Sequence, residues 1–362
     1  MRRLIPFAVI AIIVNLFACQ LSPARPERIV EERRLVVVDS LGVDYGEPYE
    51  VFGNISGAAF INDSTFVLLD KGYQELRVFD RDCNYIVTSN YCGNGPLEYR
   101  CAAYLAVVDS RFAVFEFNMP PRCVFFDNLA IPVSSVTFDG MTALQEPCFI
   151  DNSTVVGFVG SIDREGDSVS IGYEICVWNT VSGRKERVLF SRYLEVDALE
   201  SIYDLFVQLE NSIVASSSGL VFVAPDAQDY KVLVFSMDGV LLDTLYAPHE
   251  QELRDADEIE MEQIWRKLRD GDMGNWEPSA HEPGITDLQV QNSTGCLWAC
   301  HGSWFNPSFD VYTMNGELAF TCTCEGLPGD EMIAFGITDY GILAYTMCPG
   351  SFPRVYVMEL QL

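Results

Sequence analysis

The chain has 362 residues, of which 49% are hydrophobic, so it can bury a large core and is predicted to be globular. Asp and Glu number 52 against 23 Lys and Arg, which gives a formal net charge of −29 at pH 7. Proteins hold nucleic acid through Lys and Arg side chains that neutralise phosphates, so this charge balance excludes nucleic acid as a partner.

The first 18 residues have the pattern of a secretory signal. Arg2 and Arg3 precede an apolar run over residues 4–14, which is shorter than the roughly 20 residues that span a bilayer. Small Ala18 then precedes Cys19, and the phrase Leu-Phe-Ala-Cys resembles a lipobox. We expect cleavage before Cys19 and acylation of Cys19, which binds the protein to a membrane. The alternative is an uncleaved signal anchor with an incidental cysteine.

Residues 19–32 are predicted to be a lipid-anchored tether, with Pro23 and Pro26 in it. An acidic protein surface repels anionic lipid head groups. The acyl chains on Cys19 are therefore the expected membrane contact of this chain.

From residue 33 onward the sequence repeats one phrase: an apolar strand, a short polar turn, a second apolar strand and then a third that ends in an acidic or Asn turn. Six such units occur, with equivalent turns near Asp63, Asp109, Asn152, Asn211, Asn292 and Asp339. Most intervals fall in the forties, and two are longer. A period of 40–50 residues with several short strands is typical of a β-propeller, so residues 33–362 are predicted to form an all-β, six-bladed propeller. A pair of β-sandwiches is the alternative.

Three local signals add detail to this fold. The early strand RLVVV, residues 34–38, is placed to complete the last blade and cover its edge. Asp-Gly at 238–239 and Asn-Gly at 315–316 are hairpin turns at matching places in two units. Residues 249–270 carry apolar side chains at mainly helical spacing and are predicted to be a helix inserted between blades, either as a cap or as a docking element.

The loop after the first unit reads Cys92-Gly-Asn-Gly-Pro-Leu-Glu-Tyr-Arg100. This G-x-G-P-x-E-[YF] phrase, together with the repeats and the lipobox, resembles the TolB-like six-bladed propeller lipoproteins of Bacteroidota. The resemblance implies a membrane-anchored propeller outside the cytoplasm and no particular activity. Two glycines and a proline indicate a tight turn with positive φ or a close backbone approach. The candidate residues of this motif loop are Gly93, Gly95, Pro96, Glu98, Tyr99 and Arg100, where Glu98 and Arg100 are expected to bind each other or a ligand.

The sequence has 12 cysteines, and acylation of Cys19 leaves an odd number. In an exported protein some pairing is expected, and a pair among Cys83, Cys92 and Cys101 is our prediction. A zinc cluster of Cys296, Cys300, His301, Cys322 and Cys324 is the weighed alternative to a disulfide or buried thiols. Its spacings are not those of zinc sites, so no metal and no cofactor is predicted.

Enzyme motifs are absent: neither H-E-x-x-H nor G-x-S-x-G occurs. The remaining enzyme hypothesis is a carbohydrate-active hydrolase or lyase that uses carboxylates at the propeller mouth, with Asp70, Glu98 and Glu116 as candidates. Exposed aromatic rings bind sugars by stacking, and candidate rings for such contact are Trp276, Trp298, Trp304 and Phe305.

The preferred interpretation is a non-enzymatic binding platform for an envelope protein or a glycan. Gln20 after Cys19 does not resemble an inner-membrane retention signal, so we expect the outer membrane. Residues 20–26 lack the acidic cluster that marks surface export in this bacterial group, which favours the periplasmic side.

Overall fold

A computed structural model describes residues 30–117, 120–140, 143–165, 168–195, 209, 211–247, 251–270, 277–347 and 352–361 of the chain. Glu32–Leu362 forms one compact unit. Of the other unit, Met1–Glu31, only the last two residues are described, so the predicted signal, Cys19 and most of the tether lie outside the described residues.

Four antiparallel sheets of four strands follow one another along the chain, each in sequence order. The strands of the first two are β2 (Ile55–Asn62), β3 (Thr65–Asp70), β4 (Glu75–Asp80), β5 (Tyr85–Ser89), and β6 (Ala102–Val108), β7 (Arg111–Glu116), β8 (Arg122–Phe126), β9 (Pro132–Thr137). Those of the next two are β10 (Gln145–Asp151), β11 (Thr154–Glu165), β12 (Ser168–Asn179), β13 (Lys185–Glu195), and β14 (Ser212–Ala215), β15 (Leu220–Ala224), β16 (Lys231–Ser236), β17 (Leu241–Tyr246).

A fifth sheet has eight strands in the order β18-β19-β20-β21-β1-β24-β23-β22. They are β1 (Glu31–Leu41), β18 (Asp287–Gln291), β19 (Cys296–Ser303), β20 (Asn306–Thr313), β21 (Leu318–Glu325), β22 (Ile333–Thr338), β23 (Gly341–Thr346) and β24 (Val355–Gln361). The early strand pairs with β24, as predicted, and it also lies beside β21. It therefore joins the strands at 287–325 to those at 333–361.

The strands β2, β6, β10, β14, β18 and β22 each contact the next, and β22 contacts β2. The fold is thus all-β and propeller-like. Hydrophobic clusters lie between neighbouring sheets; one, for example, combines Val78 of β4 with Phe112 of β7. Because both faces of a sheet are covered, middle strands such as β3 and β7 are buried along almost their whole length.

The predicted Asp-Gly and Asn-Gly turns connect β16 to β17 and β20 to β21, and Gly239 and Gly316 have φ of 79° and 77° there. Glycine adopts this left-handed conformation without a side-chain clash, so both hairpin predictions are confirmed. One predicted turn was misplaced. Asn211 precedes β14, and the turn between β14 and β15 lies at Ser216–Gly219 instead.

The inserted helix α1 spans Ala256–Asp270, so the predicted start at residue 249 was too early. Asp255 is the reason, since its side chain caps the helix by accepting a hydrogen bond from the Glu258 backbone N–H at 2.8 Å. Two residues earlier, Leu253 forms an isolated bridge with His281. Within the described residues, no helix is both long and apolar enough to cross a bilayer.

The ten cysteines within the described residues are free thiols, which corrects the predicted pair among Cys83, Cys92 and Cys101. Cys83 precedes β5 and Cys92 follows it. Five extended residues span about 17 Å, far more than a disulfide allows. The backbone of Cys92 forms an isolated parallel β-bridge with Tyr99 in the motif loop, and its thiol is not bonded to Cys101.

Candidate functional site

The motif loop connects β5 to β6 and is held by its own backbone. Gly93 N–H donates to the Tyr99 carbonyl, and Tyr99 N–H donates to the Tyr91 carbonyl, both at 2.9 Å. The Tyr99 ring is fully buried in the core between the first two sheets, and its hydroxyl donates to the Gln74 carbonyl at 2.9 Å. Tyr99 therefore anchors the loop to the first sheet.

The loop glycines make room for the Glu98 carboxylate. The sequence predicts either a positive φ or a close backbone approach at these glycines. Neither Gly93 nor Gly95 has a φ in the left-handed region, so the close approach is what occurs. A Cβ on Gly93 would lie 2.0 Å from Glu98 Oε2. That oxygen accepts a hydrogen bond from Gly95 N–H at 2.7 Å. The next residue, Pro96, accepts one from the Ser135 hydroxyl through its carbonyl.

Arg100 is bound to Glu116 and not to Glu98. The Glu116 side chain is fully buried, and its Oε1 accepts hydrogen bonds from Arg100 N–H at 2.9 Å and Arg122 Nη2 at 2.8 Å. Glu116 Oε2 lies 3.3 Å from Arg100 Nη2. Arg122 also donates to the carbonyls of Gly95 and Glu98, so these charges fasten the motif loop to β7 and β8.

Asp70 holds loops in the first sheet as Glu116 does in the second. It is fully buried at the end of β3, and its carboxylate accepts four backbone N–H groups at 2.9–3.2 Å, those of Gly53, Asn54, Gly72 and Tyr73. Arg77 Nη2 lies 3.5 Å from it. The three carboxylates proposed for catalysis, Asp70, Glu98 and Glu116, are thus each engaged in holding loops.

Two of the four candidate aromatic rings are core residues, which corrects the prediction that they contact a ligand. Trp298 is 1% exposed and meets Phe309 and Phe320 edge to face. Phe305 is buried against Trp265 of α1, with Trp304 half-buried beside them. The rings of Trp265, Trp304 and Phe305 pack α1 against the turn between β19 and β20. Trp276 lies outside the described residues.

The helix is fixed at its inner side by a buried ionic network. Glu262 accepts hydrogen bonds from Arg254 Nη1 and Arg266 Nε, each at 2.6 Å. Arg254 also donates to the carbonyls of Glu258 and Ser279. All three charged side chains are at most 5% exposed, so the network ties the helix to the segments on either side of it.

Beside this insertion lies a cavity of about 180 Å³, here called the intersheet pocket. Its walls come from the start of β16, the end of β19, the start of β20 and the segments flanking α1. The lining is largely polar and consists of Tyr230, Gln251, Glu252, Glu282, Pro283, Gly284, His301, Gly302, Asn306 and Ser308. Two neighbouring sheets and the insertion between them thus build one small site.

Two lining residues of the pocket, Tyr230 and His301, lie against a buried polar group that is not itself part of the lining. Asp310 is fully buried, and its Oδ2 accepts a hydrogen bond from the Tyr230 hydroxyl at 2.5 Å. The Tyr312 hydroxyl is 3.0 Å from that of Tyr230, and His301 Nε2 is 3.7 Å from Asp310 Oδ1. Burial, together with Tyr312 and Asp310, raises the pKa of Tyr230, so its phenol stays protonated and donates to Asp310.

Glu252 and Glu282 form the acidic rim of the pocket. Burial raises the pKa of Glu282, and the carboxylates of Glu258 and Glu252 raise it further, while His301 and Arg254 act in the opposite direction. The net effect is upward, with burial as its largest cause, so ionisation of Glu282 is disfavoured at this rim.

A second polar cluster, the axial cluster, lies on the ring of inner strands. Asp287 begins β18; it accepts a hydrogen bond from Gln289 Nε2 at 2.9 Å, and Ser212 Oγ lies 3.5 Å away. Burial raises the pKa of Asp287 to about 7. Burial raises the pKa of Tyr345, and the carboxylates of Asp287 and Glu146 add to the effect. Glu146 has a strained φ of 43°.

Across the described residues, no group of three or more His, Cys, Asp or Glu side chains is placed to hold a metal ion. The cysteines of the weighed zinc cluster lie in β19 and β21. Burial raises the pKa of Cys322 to about 12, and it also raises the pKa of Cys300, so these thiols stay protonated. Their arrangement fits buried thiols in a core.

Sequence reasoning did not single out Tyr230, Asp310 or Glu282. Asp310 carries a signal that was available, because it interrupts the apolar β20 sequence Phe-Asp-Val-Tyr. A charged residue at a buried strand position needs a partner. Its partner Tyr230 is 80 residues away, and the sequence contains nothing that pairs the two.

A scan against protein-family models found no match, and neither did a search of curated proteins. Among solved structures, the chain is similar to a member of the DUF4221 family from Bacteroides vulgatus, with 9% identity, a TM-score of 0.53, and coverage of 91% of this chain and 99% of that one. It is also similar to a putative exported protein from Bacteroides fragilis, at 10% identity and a TM-score of 0.46, covering 92% of this chain and 99% of that one. A third similar structure is a protein of unknown function from Bacteroides thetaiotaomicron, with 12% identity, a TM-score of 0.44, and coverage of 90% and 76%. The first of these similarities shows a shared fold.

Proposed function

We propose that this chain is a lipid-anchored, extracytoplasmic β-propeller that serves as a non-enzymatic binding platform for a partner protein or a glycan. Its binding site is the intersheet pocket. The observation that carries this proposal is a preformed, largely polar cavity beside an inserted helix. Its lining residue Tyr230 is held in place by hydrogen bonds to the buried Asp310 and Tyr312 behind it. Ligand sites are concave and largely preformed, and placed polar groups fix the orientation of the ligand.

The finer description of the fold is a TolB-like propeller with six blades. On this proposal the eight-stranded sheet is two four-stranded blades, β18–β21 and β22–β24 with β1, joined where β1 lies beside β21. The six inner strands that contact one another in a ring support this count. A strand from the N-terminal end that pairs with the last strands also covers an edge that would otherwise be exposed.

The proposed location is the outer membrane, on its periplasmic side, with Cys19 as the acylated residue. The charged start, the apolar run and the lipobox-like phrase of residues 1–19 support it. Labelling of cells with an alkyne fatty acid tests the anchor. Wild-type protein should carry the label and partition with outer-membrane vesicles, whereas Cys19→Ser should lose both. An unlabelled wild-type protein would contradict the proposal.

The binding function is tested by chemical crosslinking of the lipidated protein in its native cell envelope, beside a glycan array probed with the soluble propeller. We expect one stoichiometric adduct or one family of bound glycans, reduced by Ser308→Trp, which fills the pocket. Glu317→Gln, at an exposed turn, is the matched control. Binding that is unchanged in Ser308→Trp would contradict the assignment of the site to this pocket. No bound glycan on the array together with no crosslinked adduct would contradict the proposed binding function.

The axial cluster favours a second candidate function, a carbohydrate-active hydrolase or lyase. A carboxyl with a pKa of about 7 suits general acid catalysis at neutral pH, and Asp287 has one. The strained backbone of Glu146, whose carboxylate acts on Tyr345 as that of Asp287 does, is also typical of functional sites. Release of reducing ends from envelope polysaccharides that is lost in Asp287→Asn would favour the enzyme. Release that persists in this variant, or is absent from wild type, would reject this candidate.

A further inference from the structure

The intersheet pocket has a charge that indicates the chemical class of its occupant. We infer that it receives a positively charged group, the ammonium or guanidinium of a lysine or arginine side chain presented by a partner protein. This inference rests on the proposed binding function and names the ligand class of that site.

The first step is the placement of the two rim carboxylates. Glu282 is half-buried on the pocket wall, and Glu252 lies exposed on the segment that precedes α1. A Cβ on Gly302 would lie 3.5 Å from Glu282 Oε2, an ordinary van der Waals distance, so the carboxylate lies next to Gly302. Gly302 has a φ of 81°, a conformation that other residues rarely adopt. The Glu282 side chain thus lies beside the end of β19 on the cavity wall.

The second step concerns the positive charges nearby. His301 and Arg254 are the positive groups that act on Glu282. His301 lies in the pocket lining with its Nε2 3.7 Å from Asp310 Oδ1. The Arg254 guanidinium is bound to Glu262 and to two backbone carbonyls. Arg266 binds the same Glu262 from the other side. These two arginines are therefore engaged inside the helix network, away from the pocket.

The third step is the electrostatic consequence. Glu282 has a raised pKa, because burial and the neighbouring carboxylates Glu258 and Glu252 outweigh His301 and Arg254. A carboxylate whose ionisation is disfavoured in this way gains from an incoming positive charge, which restores its ordinary acidity. The chain as a whole carries a net charge of −29, so its long-range field also draws cationic partners.

The fourth step is the shape of the site. A cavity of about 180 Å³ is small and suits one side-chain end group. Gln251 leaves its carbonyl oxygen available, since its amide nitrogen donates to the carbonyls of Gln228 and Glu282. Asn306 and Ser308 add further oxygen atoms to the lining. Carboxylate and carbonyl oxygens around a small cavity match the N–H donors of lysine and arginine.

A glycan is the less favoured occupant. Sugar sites present an exposed aromatic face for stacking. Tyr230, the aromatic residue of the lining, is 7% exposed and its hydroxyl is bound to Asp310. Of the candidate rings near the pocket in sequence, Trp298 and Phe305 are buried in the core, and half-buried Trp304 packs with the ring cluster of α1 and is not part of the lining.

The test uses small probes on the purified propeller: N-acetyl-lysine methylamide, its arginine analogue, the side-chain-acetylated lysine analogue, putrescine and glucosamine. Binding is followed by calorimetry and by ligand-observed NMR. We expect the lysine or arginine probe to bind, with affinity that falls at least tenfold in Glu282→Gln and falls on raising the salt concentration. Glu260→Gln, exposed on α1 and outside the lining, is the control and should bind as wild type.

Three results would overturn the inference. They are equal binding of the acetylated probe, preferred binding of glucosamine or putrescine, and no binding of either cationic side-chain probe up to about 10 mM, the range of the weakest specific sites. If Glu282→Gln lowers the melting temperature, Glu252→Gln on the exposed rim provides the same comparison. An envelope adduct that Ser308→Trp removes and Glu282→Gln leaves intact would reject the cationic ligand while supporting the proposed function.

Discussion

The buried Glu116 carboxylate provides the most quantitative prediction, for Glu116→Ala. The substitution removes the acceptor of Arg100 N–H and of both arginine side chains, while Arg122 stays only 14% exposed. Breaking a buried ion pair from one side costs about 3–5 kcal/mol, and the partial exposure of Arg100, at 36%, places this case near about 3 kcal/mol. The loop between β5 and β6 loses its main attachment to β7 as well.

The assay is thermal unfolding followed by circular dichroism. Unfolding entropy is about 2.1 cal/mol/K per residue, so the unit Glu32–Leu362 has about 0.7 kcal/mol/K and a loss of about 3 kcal/mol lowers Tm by about 4 °C. The control is Glu325→Ala, which breaks the exposed pair with Arg34, whose side chains are 48% and 51% exposed. Exposed pairs contribute about 0–1 kcal/mol, so Tm should fall by about 1 °C or less. Equal shifts in the two variants would refute the assignment of Glu116 as a loop anchor.

Three further predictions follow from single contacts. Gly93→Ala should destabilise by about 1–3 kcal/mol, because the new Cβ displaces the Glu98 carboxylate that accepts from Gly95 N–H, and it should cost little more when added to Glu98→Ala; an additive double variant in chemical denaturation would contradict this contact. Asp287 has a folded pKa above its unfolded value, so its folded state binds more protons and wild-type stability should fall as pH rises from about 4 to 7; Tm against pH in Asp287→Asn should lack this decline, and parallel profiles would disprove it. Thiol titration should modify exposed Cys92 in the folded protein and fully buried Cys123 only after unfolding, and a disulfide found by mass spectrometry at either residue would contradict the free thiols.

The sequence predicts the strands well because their signals are local. The Asp-Gly and Asn-Gly turns need glycine at positive φ, so two adjacent residues are enough to predict each turn. The early strand at 34–38 was also assigned to the correct partner, since a propeller needs its last edge covered. Asn211 was misread because Asn-Ser resembles a turn, whereas Ser216–Gly219 supplies the actual one.

The pocket was beyond the reach of sequence because distant residues form it. Tyr230 and Asp310 meet across two sheets, 80 residues apart. Whether a candidate aromatic ring can contact a ligand depends on its burial, which also arises from distant residues. The sequence near Trp298 does not distinguish a core ring from an exposed one. The glycines of the motif loop predict a tight turn from the sequence. Only the structure shows why glycine is needed there, because it gives the position of the Glu98 carboxylate for which the glycines leave room.

The measurement that tests the central claim most directly is site-specific photocrosslinking in the native cell envelope. A photoreactive residue replaces Asn306, which is exposed at the pocket, or Asp82, which is exposed in the turn between β4 and β5. A binding platform that uses the intersheet pocket predicts a discrete adduct from position 306, none from position 82, and loss of the adduct in the presence of the lysine probe. Equal crosslinking from both positions, or none from position 306, would contradict it.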